Sequence, residues 1–387
     1  MRILFLTQWF QPEAFFKGLP FAKALRERGH EVEILTGFPN YPGGKVYPGY
    51  RVRLYQGEEM DGIKVHRVFL YPSHDTSALR RILNYLTFAL STFLLGPWLI
   101  RKPDVVYVYN LITLGPAAFL IRFLFGAKVV IDVQDLWPES VANSSMLNNK
   151  AALGVLNRLC NRVYRGADQV TVLSPGFKKE LIRRGVAGER IEVIYNWCDE
   201  KNHTWSDRCD EGNYLKPFEY SGKFVVLFAG AMGFAQGLDA VLGCAVLCGA
   251  ELPDVHFVFI GGGVDKPRLQ KRAEDMGLTN VTFLPPRAPA AMGEIYAMAD
   301  ALLVHLKDDP LFRITIPSKT QAYLFIGKPI IMAMQGDAAD LVRAAGAGIV
   351  CQPGKAEEML KAIKALHEMP KEKRRLLGAA GHRYYME

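Results

Sequence analysis

Short apolar runs rich in Val, Ile, Leu and Phe recur along the chain, separated by stretches of helical period. In the first half the runs fall at Arg2–Thr7, Glu31–Thr36, Val65–Leu70, Val105–Tyr109, Val129–Val133, Gln169–Leu173 and Ile191–Ile194. They are short and almost continuously apolar, as strands buried on both faces of a parallel sheet should be. Leu19–Arg28 reads as a helix that stops on Gly29-His30. Residues 199–222 are polar and lack a period; then the pattern restarts. The second set of runs is Phe224–Phe228, His256–Ile260, Val281–Leu284, Ala301–His305, Pro329–Met332 and Gly348–Val350. Two tandem sets of this kind predict an α/β protein of two Rossmann-like domains facing each other across a cleft. The expected division is 1–197, a linker with the loop leading in at 198–222, and 223–387, whose C-terminal helix is free to return to the first domain.

One apolar run breaks the pattern. Residues 82–100, ILNYLTFALSTFLLGPWLI, are nineteen uncharged positions between Arg80-Arg81 and Arg101-Lys102. That length can span a bilayer, but the run holds Asn84, Thr87, Ser91 and Gly96-Pro97 and leads straight into the next strand. A buried domain helix, a helix lying in the membrane plane and a true span all remain open. The second apolar run, LITLGPAAFLIRFLFG (111–126), follows that strand. If both runs share one flank, they form an apolar patch rimmed by Arg80, Arg81, Arg101, Lys102 and Arg122.

Charge sharpens this picture. The chain of 387 residues carries a formal +8, and residues 79–128 hold six basic residues against Asp104 alone. Basic charge among Tyr, Phe, Leu and Trp suits an anionic membrane surface better than a nucleic-acid groove, and no nucleic-acid motif is visible. Half of the residues are hydrophobic and 22% charged, which excludes a disordered chain. The six cysteines, at 160, 198, 209, 244, 248 and 351, form no CxxC pair, and the N-terminus reads as a strand without a cleavage site. A reduced, cytoplasmic setting is expected.

The chemistry-bearing stretches lie at strand ends. FAGAMGFAQG (228–237) places Gly230 and Gly233 between a strand and a helix, where backbone N–H groups can approach a phosphate. IGGGVDKPRLQ (260–270) is a second such junction, with Gly262 and Gly263 opening a strand end or serving only as a tight loop. A Pro-rich loop carries Arg287, and a later strand ends on His305, which is either structural or turned to a ligand. In DDPLFRITIPSKTQAYLFIGKPIIMA (308–333), Pro317 and Ser318 read as a helix start beside the cations Arg313 and Lys319. A helix start flanked by cations suits a diphosphate. The loop QWFQPEAFFKGLP (8–20) offers Gln11, Glu13 and Lys17 as acceptor contacts, or as solvated loop residues.

FPNYPGGKVYPGYR (38–51), VQDLWPES (133–140), IEVIYNW (191–197), FAGAMGFAQGL (228–238) and TIPSKTQAYL (315–324) carry a resemblance that covers nearly the whole chain. The sequence resembles retaining glycosyltransferases of family 4 with the GT-B fold, and more narrowly the bacterial fucosamine-transferase-like branch that builds surface polysaccharides. The resemblance implies a UDP-sugar donor in the C-terminal domain and an acceptor, a polyprenyl-diphosphate-linked saccharide, in the N-terminal domain. It also implies retention of configuration and no metal or other cofactor. The donor set it implies comprises Gly230, Met232, Gly233, Gln236, Gly262, Gly263, Arg287, His305, Lys307, Pro317, Ser318, Lys319 and Gln321.

This sequence departs from the family pattern in places. The Arg and Lys that many members carry on the first C-domain loop correspond to Met232 and Gln236. The Glu-x7-Glu pair falls near Ile314 and Ala322, and the common N-domain His is Gln134, followed by Asp135. The expected compensation is positive charge from Arg313, Lys319 and Lys307, with backbone N–H groups around Gly233 and Ser318. Asp135, Lys319 and Arg313 are the expected catalytic residues, and Gln134 joins Gln11, Glu13 and Lys17 toward the acceptor. An inactive nucleotide-sugar-binding or scaffold subunit is the rival reading. A nicotinamide-dependent oxidoreductase is weaker, since no GxGxxG follows the first strand.

Overall fold

The computed structural model describes residues 1–387 apart from 14, 16, 74–76, 144–148, 199, 201–219, 221 and 289–290. Almost all of the linker expected at 198–222 therefore lies outside the described residues. Two compact units meet between Tyr195 and Asn196.

The first unit runs β1 (Arg2–Leu6), α1 (Leu19–Glu27), β2 (Glu31–Gly37), β3 (Tyr55–Met60), β4 (Ile63–Val68), α2 (Ala78–Leu99), β5 (Val105–Tyr109), α3 (Gly115–Phe125), β6 (Lys128–Val133), α4 (Glu139–Asn143), α5 (Lys150–Gly166), β7 (Gln169–Val172), α6 (Pro175–Arg183) and β8 (Ile191–Val193). Its sheet has the order β3-β4-β2-β1-β5-β6-β7-β8. All neighbours are parallel except β3, which is antiparallel to β4. Apolar strand residues drive this arrangement. Phe5, Ile34 and Val65 are fully buried, and Leu19, Phe21 and Leu25 of α1 pack on the same cluster. The sequence pattern missed β3 because its residues, YQGEEM, are polar. Asp61 (φ 49) and Gly62 (φ 77) form the turn back into β4, and Asp-Gly is a strong hairpin signal.

Helix α2 settles the question left open by residues 82–100. One face, with Asn84, Phe88, Thr92 and Gly96, is buried. The Asn84 amide donates to the Tyr71 carbonyl (2.7 Å) and to Asn40 Oδ1 (3.4 Å), and its oxygen accepts from Gln8. A Cβ added at Gly96 would lie 3.0 Å from Leu35. A helix bonded in this way to the loops after β1, β2 and β4 is a domain helix and not a span. The opposite face is apolar and open: Leu79, Leu83, Leu86, Leu90, Phe93 and Leu94 are exposed, and Trp98 is 85% accessible. On α3, which packs against α2, Phe123 is also 85% accessible.

The second unit runs β9 (Phe224–Ala229), α7 (Asp239–Glu251), β10 (Val255–Ile260), α8 (Lys266–Asp275), β11 (Val281–Leu284), α9 (Met292–Ala297), β12 (Ala301–His305), α10 (Pro310–Arg313), α11 (Ser318–Ile326), β13 (Ile330–Ala333), α12 (Asp337–Ala345), β14 (Gly348–Cys351), α13 (Ala356–His367) and α14 (Lys371–Met386). Its parallel sheet has the order β11-β10-β9-β12-β13-β14. This is the doubly wound order, in which a crevice opens where the order reverses. The core joins Phe228, Phe257 and Phe259 of the sheet to Val241, Leu242 and Ala245 of α7. The C-terminal helix α14 packs on α11 within this unit.

Candidate functional site

In the second unit the order reverses between β9 and β12, so the loops leaving these strands flank the crevice. The loop after β9 lies back to back with the loop after β10. A Cβ at Gly261 would sit 2.0 Å from the Gly230 carbonyl oxygen, and one at Gly263 2.2 Å from that of Met232. Gly230, Gly261 and Gly263 also have φ of 137, 140 and 141, which side chains rarely allow. The Met232 N–H donates to the Gly262 carbonyl (2.7 Å), and the Lys266 ammonium donates to the carbonyls of Gly261 (2.9 Å) and Leu284 (2.6 Å).

Lys319 is the distinctive group here. It lies in the first turn of α11, whose leading N–H groups have no partner within the helix. Its Nζ is shut off from water and has no hydrogen-bond partner among the described residues. It rests over the Phe228 ring, 3.6 Å from the centroid, and 3.3 Å from where a Gly230 Cβ would be. Burial pushes its ammonium down to about 7. A cation held beside a glycine loop and a helix start, without a counter-ion, is arranged to receive an anion.

Several other expected donor contacts are corrected. Met232 is fully buried in the core, so only its backbone serves the loop. His305 is buried too; it faces the Gln236 carbonyl through Nδ1 (2.6 Å), and its Nε2 accepts from the Gly354 N–H (3.1 Å). That pairing places its proton on Nδ1, and burial holds the ring below its ordinary value. His305 therefore tethers the Gly233–Gly237 turn and is not turned to a ligand. Gln236 Oε1 accepts from the Gly233 N–H (2.9 Å), which removes that N–H from phosphate binding. Gln321 is buried, and its amide faces the Pro317 and Ser318 carbonyls, to which its nitrogen donates once the amide is turned to the orientation its neighbours require. Arg313 forms a two-bond pair with Asp308 (2.8 and 3.0 Å) on the surface, so its charge is already answered. Ser318, Lys307 and Arg287 are exposed, and Pro317 caps α11.

In the first unit the order reverses between β1 and β5. The loop after β1 is held by buried polar groups. Lys17 and Asp132 form an ion pair at 2.5 Å with both side chains 2% exposed. Asp132 also accepts from the Tyr107 hydroxyl (2.6 Å) and from the Gln134 amide (2.7 Å). Glu13 accepts from the backbone N–H groups of Phe10 (3.1 Å), Asn40 and Tyr41 (both 2.7 Å), which joins this loop to the one after β2. Burial pushes its carboxyl up to about 7 against those donors. Gln11 spans its own loop, accepting from the Leu19 N–H (2.6 Å) and donating to the Phe15 carbonyl (3.3 Å). Gln11, Glu13 and Lys17 thus shape the loop and are not offered to an acceptor, a correction that follows from their committed bonds. Gln134 is half-buried.

Asp135 follows β6 and keeps solvent access, yet crowding by protein raises its carboxyl, while a hydrogen bond with Asn110 pulls it down. Asn110 sits at the end of β5 with φ 70, an uncommon conformation for a residue with a side chain. An aromatic group stands around it that the sequence reading did not foresee. Trp9 stacks on Phe15 (5.3 Å between centroids) and meets Tyr41 (5.9 Å) and Tyr85 (6.1 Å), and Tyr85 meets Trp137 (6.2 Å). Burial raises the phenols of both Tyr41 and Tyr85 and the charge of Asp135 adds to both, so Asp135 lies within electrostatic reach of these rings. Aromatic faces beside a carboxylate suit the apolar faces and hydroxyls of a sugar.

Comparison with known proteins agrees with this architecture. Residues 19–197 match the glycosyl transferase 4-like domain, and residues 215–383 match the glycosyl transferases group 1 domain. The chain is 27% identical to the colanic acid biosynthesis glycosyl transferase WcaI of Escherichia coli K12, over 90% of this chain and 86% of that protein. It is 25% identical to the glycosyltransferase WbjE of Pseudomonas aeruginosa, over 65% of this chain and 62% of that one. Among solved structures, Anabaena HepE with UDP-glucose superposes with a TM-score of 0.71 at 17% identity, covering 100% of this chain and 94% of that chain. Sucrose-phosphate synthase of Thermosynechococcus elongatus gives 0.70 at 15% identity, with 100% and 94% covered. The chain belongs to the family-4 glycosyltransferases and has the GT-B fold.

Proposed function

We propose that this glycosyltransferase moves a hexosyl or N-acetylhexosaminyl unit from a UDP-sugar to a polyprenyl-diphosphate-linked saccharide, with retention, during bacterial surface-glycan synthesis. The observation that carries the donor half is Lys319, a cation without a partner beside the Gly230 loop and the start of α11. In glycosyl transfer the bond from the anomeric carbon to the diphosphate oxygen breaks, and charge builds on the leaving phosphate. A preorganised cation and helix N–H groups stabilise that charge most where water is excluded. The acceptor hydroxyl attacks on the face the diphosphate leaves, and its proton passes to the leaving phosphate oxygen. Asp135 orients that hydroxyl. This route needs neither a carboxylate nucleophile nor a metal.

The reading includes peripheral attachment to the inner face of the cytoplasmic membrane. Its support is the open apolar face of α2 with Trp98 and Phe123, beside Lys102 and an Arg101 that Glu33 partly answers (3.7 Å). A soluble surface seldom carries so long an apolar stripe without a partner, and the occupant best matched to nearby cations is an anionic bilayer. Arg122 is committed elsewhere, donating to the Gly166 carbonyl (2.7 Å).

Lys319→Ala tests the donor half. Charge-assisted hydrogen bonds contribute about 1.5–3 kcal/mol, so UDP affinity should drop about tenfold or more, with a larger loss in sugar transfer to membrane lipid extract. Unchanged UDP affinity in a folded Lys319→Ala protein would remove Lys319 from the site. UDP binding without turnover on any lipid extract would favour the inactive binding subunit, which the missing carboxylates at Ile314 and Ala322 suggest.

A further inference from the structure

Arg81 is a second cation without a counter-charge among the described residues. It lies in the first turn of α2, where the helix's own amide dipoles disfavour a cation and no acidic residue offsets them. Its guanidinium meets no carboxylate among the described residues, and its Nε is shut off from water without a hydrogen-bond partner.

Helical geometry says where it points. Residues 81, 84, 85 and 88 fall on one face of a 3.6-residue helix, and Asn84 and Phe88 are the buried members of that face. Arg81 therefore shares the inward face, on the side of α2 opposite the open stripe of Leu79, Leu83, Leu86 and Leu90. Burial pushes the Tyr85 phenol up, the charge of Arg81, one helical turn before it, pulls it down, and Asp135 and Tyr41 add smaller upward pushes. Arg81, Tyr85, Tyr41 and Asp135 are thus electrostatic neighbours, and Tyr85 is itself part of the ring cluster with Trp9 and Trp137.

We infer that Arg81 binds the diphosphate of the lipid-linked acceptor, between the membrane face of α2 and the aromatic cluster that takes the acceptor sugar. This rests on the proposed lipid-linked acceptor and names the group that holds its charged joint. The arrangement follows the order of such a molecule. An apolar tail lies along the stripe in the bilayer, two phosphates sit at headgroup level beside the start of α2, and the sugar reaches the rings and Asp135. A planar guanidinium suits this role because it can take two phosphate oxygens at once.

The experiment titrates the intact protein with farnesyl diphosphate, farnesol and inorganic diphosphate, read by quenching of tryptophan fluorescence, for wild type, Arg81→Gln and Arg81→Lys. UDP affinity and flotation with phosphatidylglycerol vesicles are measured in parallel. The expected result is that wild type prefers farnesyl diphosphate to farnesol and to inorganic diphosphate. Arg81→Gln should lose at least tenfold in farnesyl diphosphate affinity, and Arg81→Lys should fall between. Vesicle binding and UDP affinity should stay unchanged in both variants. Equal binding of farnesyl diphosphate by Arg81→Gln and wild type overturns the assignment, as does a wild type indifferent to the diphosphate. A loss confined to vesicle binding overturns it too, by making Arg81 a headgroup contact. Failure of the transferase reading looks different: wild type would then turn over no UDP-sugar on any lipid extract, whatever Arg81 does.

Discussion

Lys319 and Arg81 both lack a carboxylate partner among the described residues, and the surroundings act on them differently. Arginine stays charged at any working pH, whereas burial brings the Lys319 ammonium down to about 7. Lys319 is therefore about half neutral at pH 7 and mostly neutral in mildly alkaline solution. A diphosphate favours the charged form, so binding takes up a proton above pH 7. The sign follows: UDP affinity should fall as pH rises from 7 to 9, by up to roughly fiftyfold if the bound lysine stays charged throughout. Calorimetry in buffers of different ionisation enthalpy reads the proton uptake directly. Lys319→Arg should flatten the profile, since its charge does not titrate in this range. A flat profile in wild type would show that the lysine is charged before the ligand arrives. The neighbouring cation Arg313 should contribute little to either curve, because Asp308 already holds it.

Helix α2 shows how far pattern alone could go and where it stopped. Its length and apolar content were plain, and Asn84 and Thr87 hinted at a helix with a wet or bonded side. What pattern could not say was which face the domain used, since apolar residues occupy nearly the whole circumference. The Asn84 bonds to Tyr71, Asn40 and Gln8 choose the inward face, and those partners lie 13, 44 and 76 residues away in the chain. Once that face is fixed, Leu86 and Leu90 point out, 53% and 58% exposed. Replacing both with Glu therefore removes no core packing, and surface changes of this sort usually shift stability by about 0.5 kcal/mol or less. The double variant should keep its melting temperature and UDP affinity while losing flotation with anionic vesicles. Wild-type flotation should weaken with added salt, because Arg101 and Lys102 act on the surface across screened distances. If wild type ignores anionic vesicles at low salt, the stripe has some other partner and the peripheral reading falls.

Across the whole molecule, the strand pattern gave both sheets because each parallel strand carries its own apolar run; only β3, polar and at an edge, escaped it. The donor site was half legible. IPSKT marked the start of α11 and Lys319, but His305, Gln321 and Gln236 look like ligand groups in sequence and turn out to bond backbone within the unit. The loop after β1 misled for the same reason: Glu13 and Lys17 are ionisable, yet their partners come from β6 and from the loop after β2. These distinctions decide how the diphosphate charge is met. The acids that follow the donor loops are already paired, Asp239 and Asp265 with Arg268 and Asp308 with Arg313. Recruiting any of them to a divalent cation would break an ion pair and leave an arginine beside the metal, which works against binding. Lys319 has no such prior commitment among the described residues, and in the proposed site it would face the developing charge. Sugar transfer should therefore proceed at the same rate in excess EDTA as without it. Added Mg²⁺ should slow it slightly, by competing with Lys319 for the diphosphate of free UDP-sugar. Loss of turnover on chelation, restored by Mg²⁺ or Mn²⁺, would show that the leaving group is neutralised by a metal and that Lys319 serves only to position it.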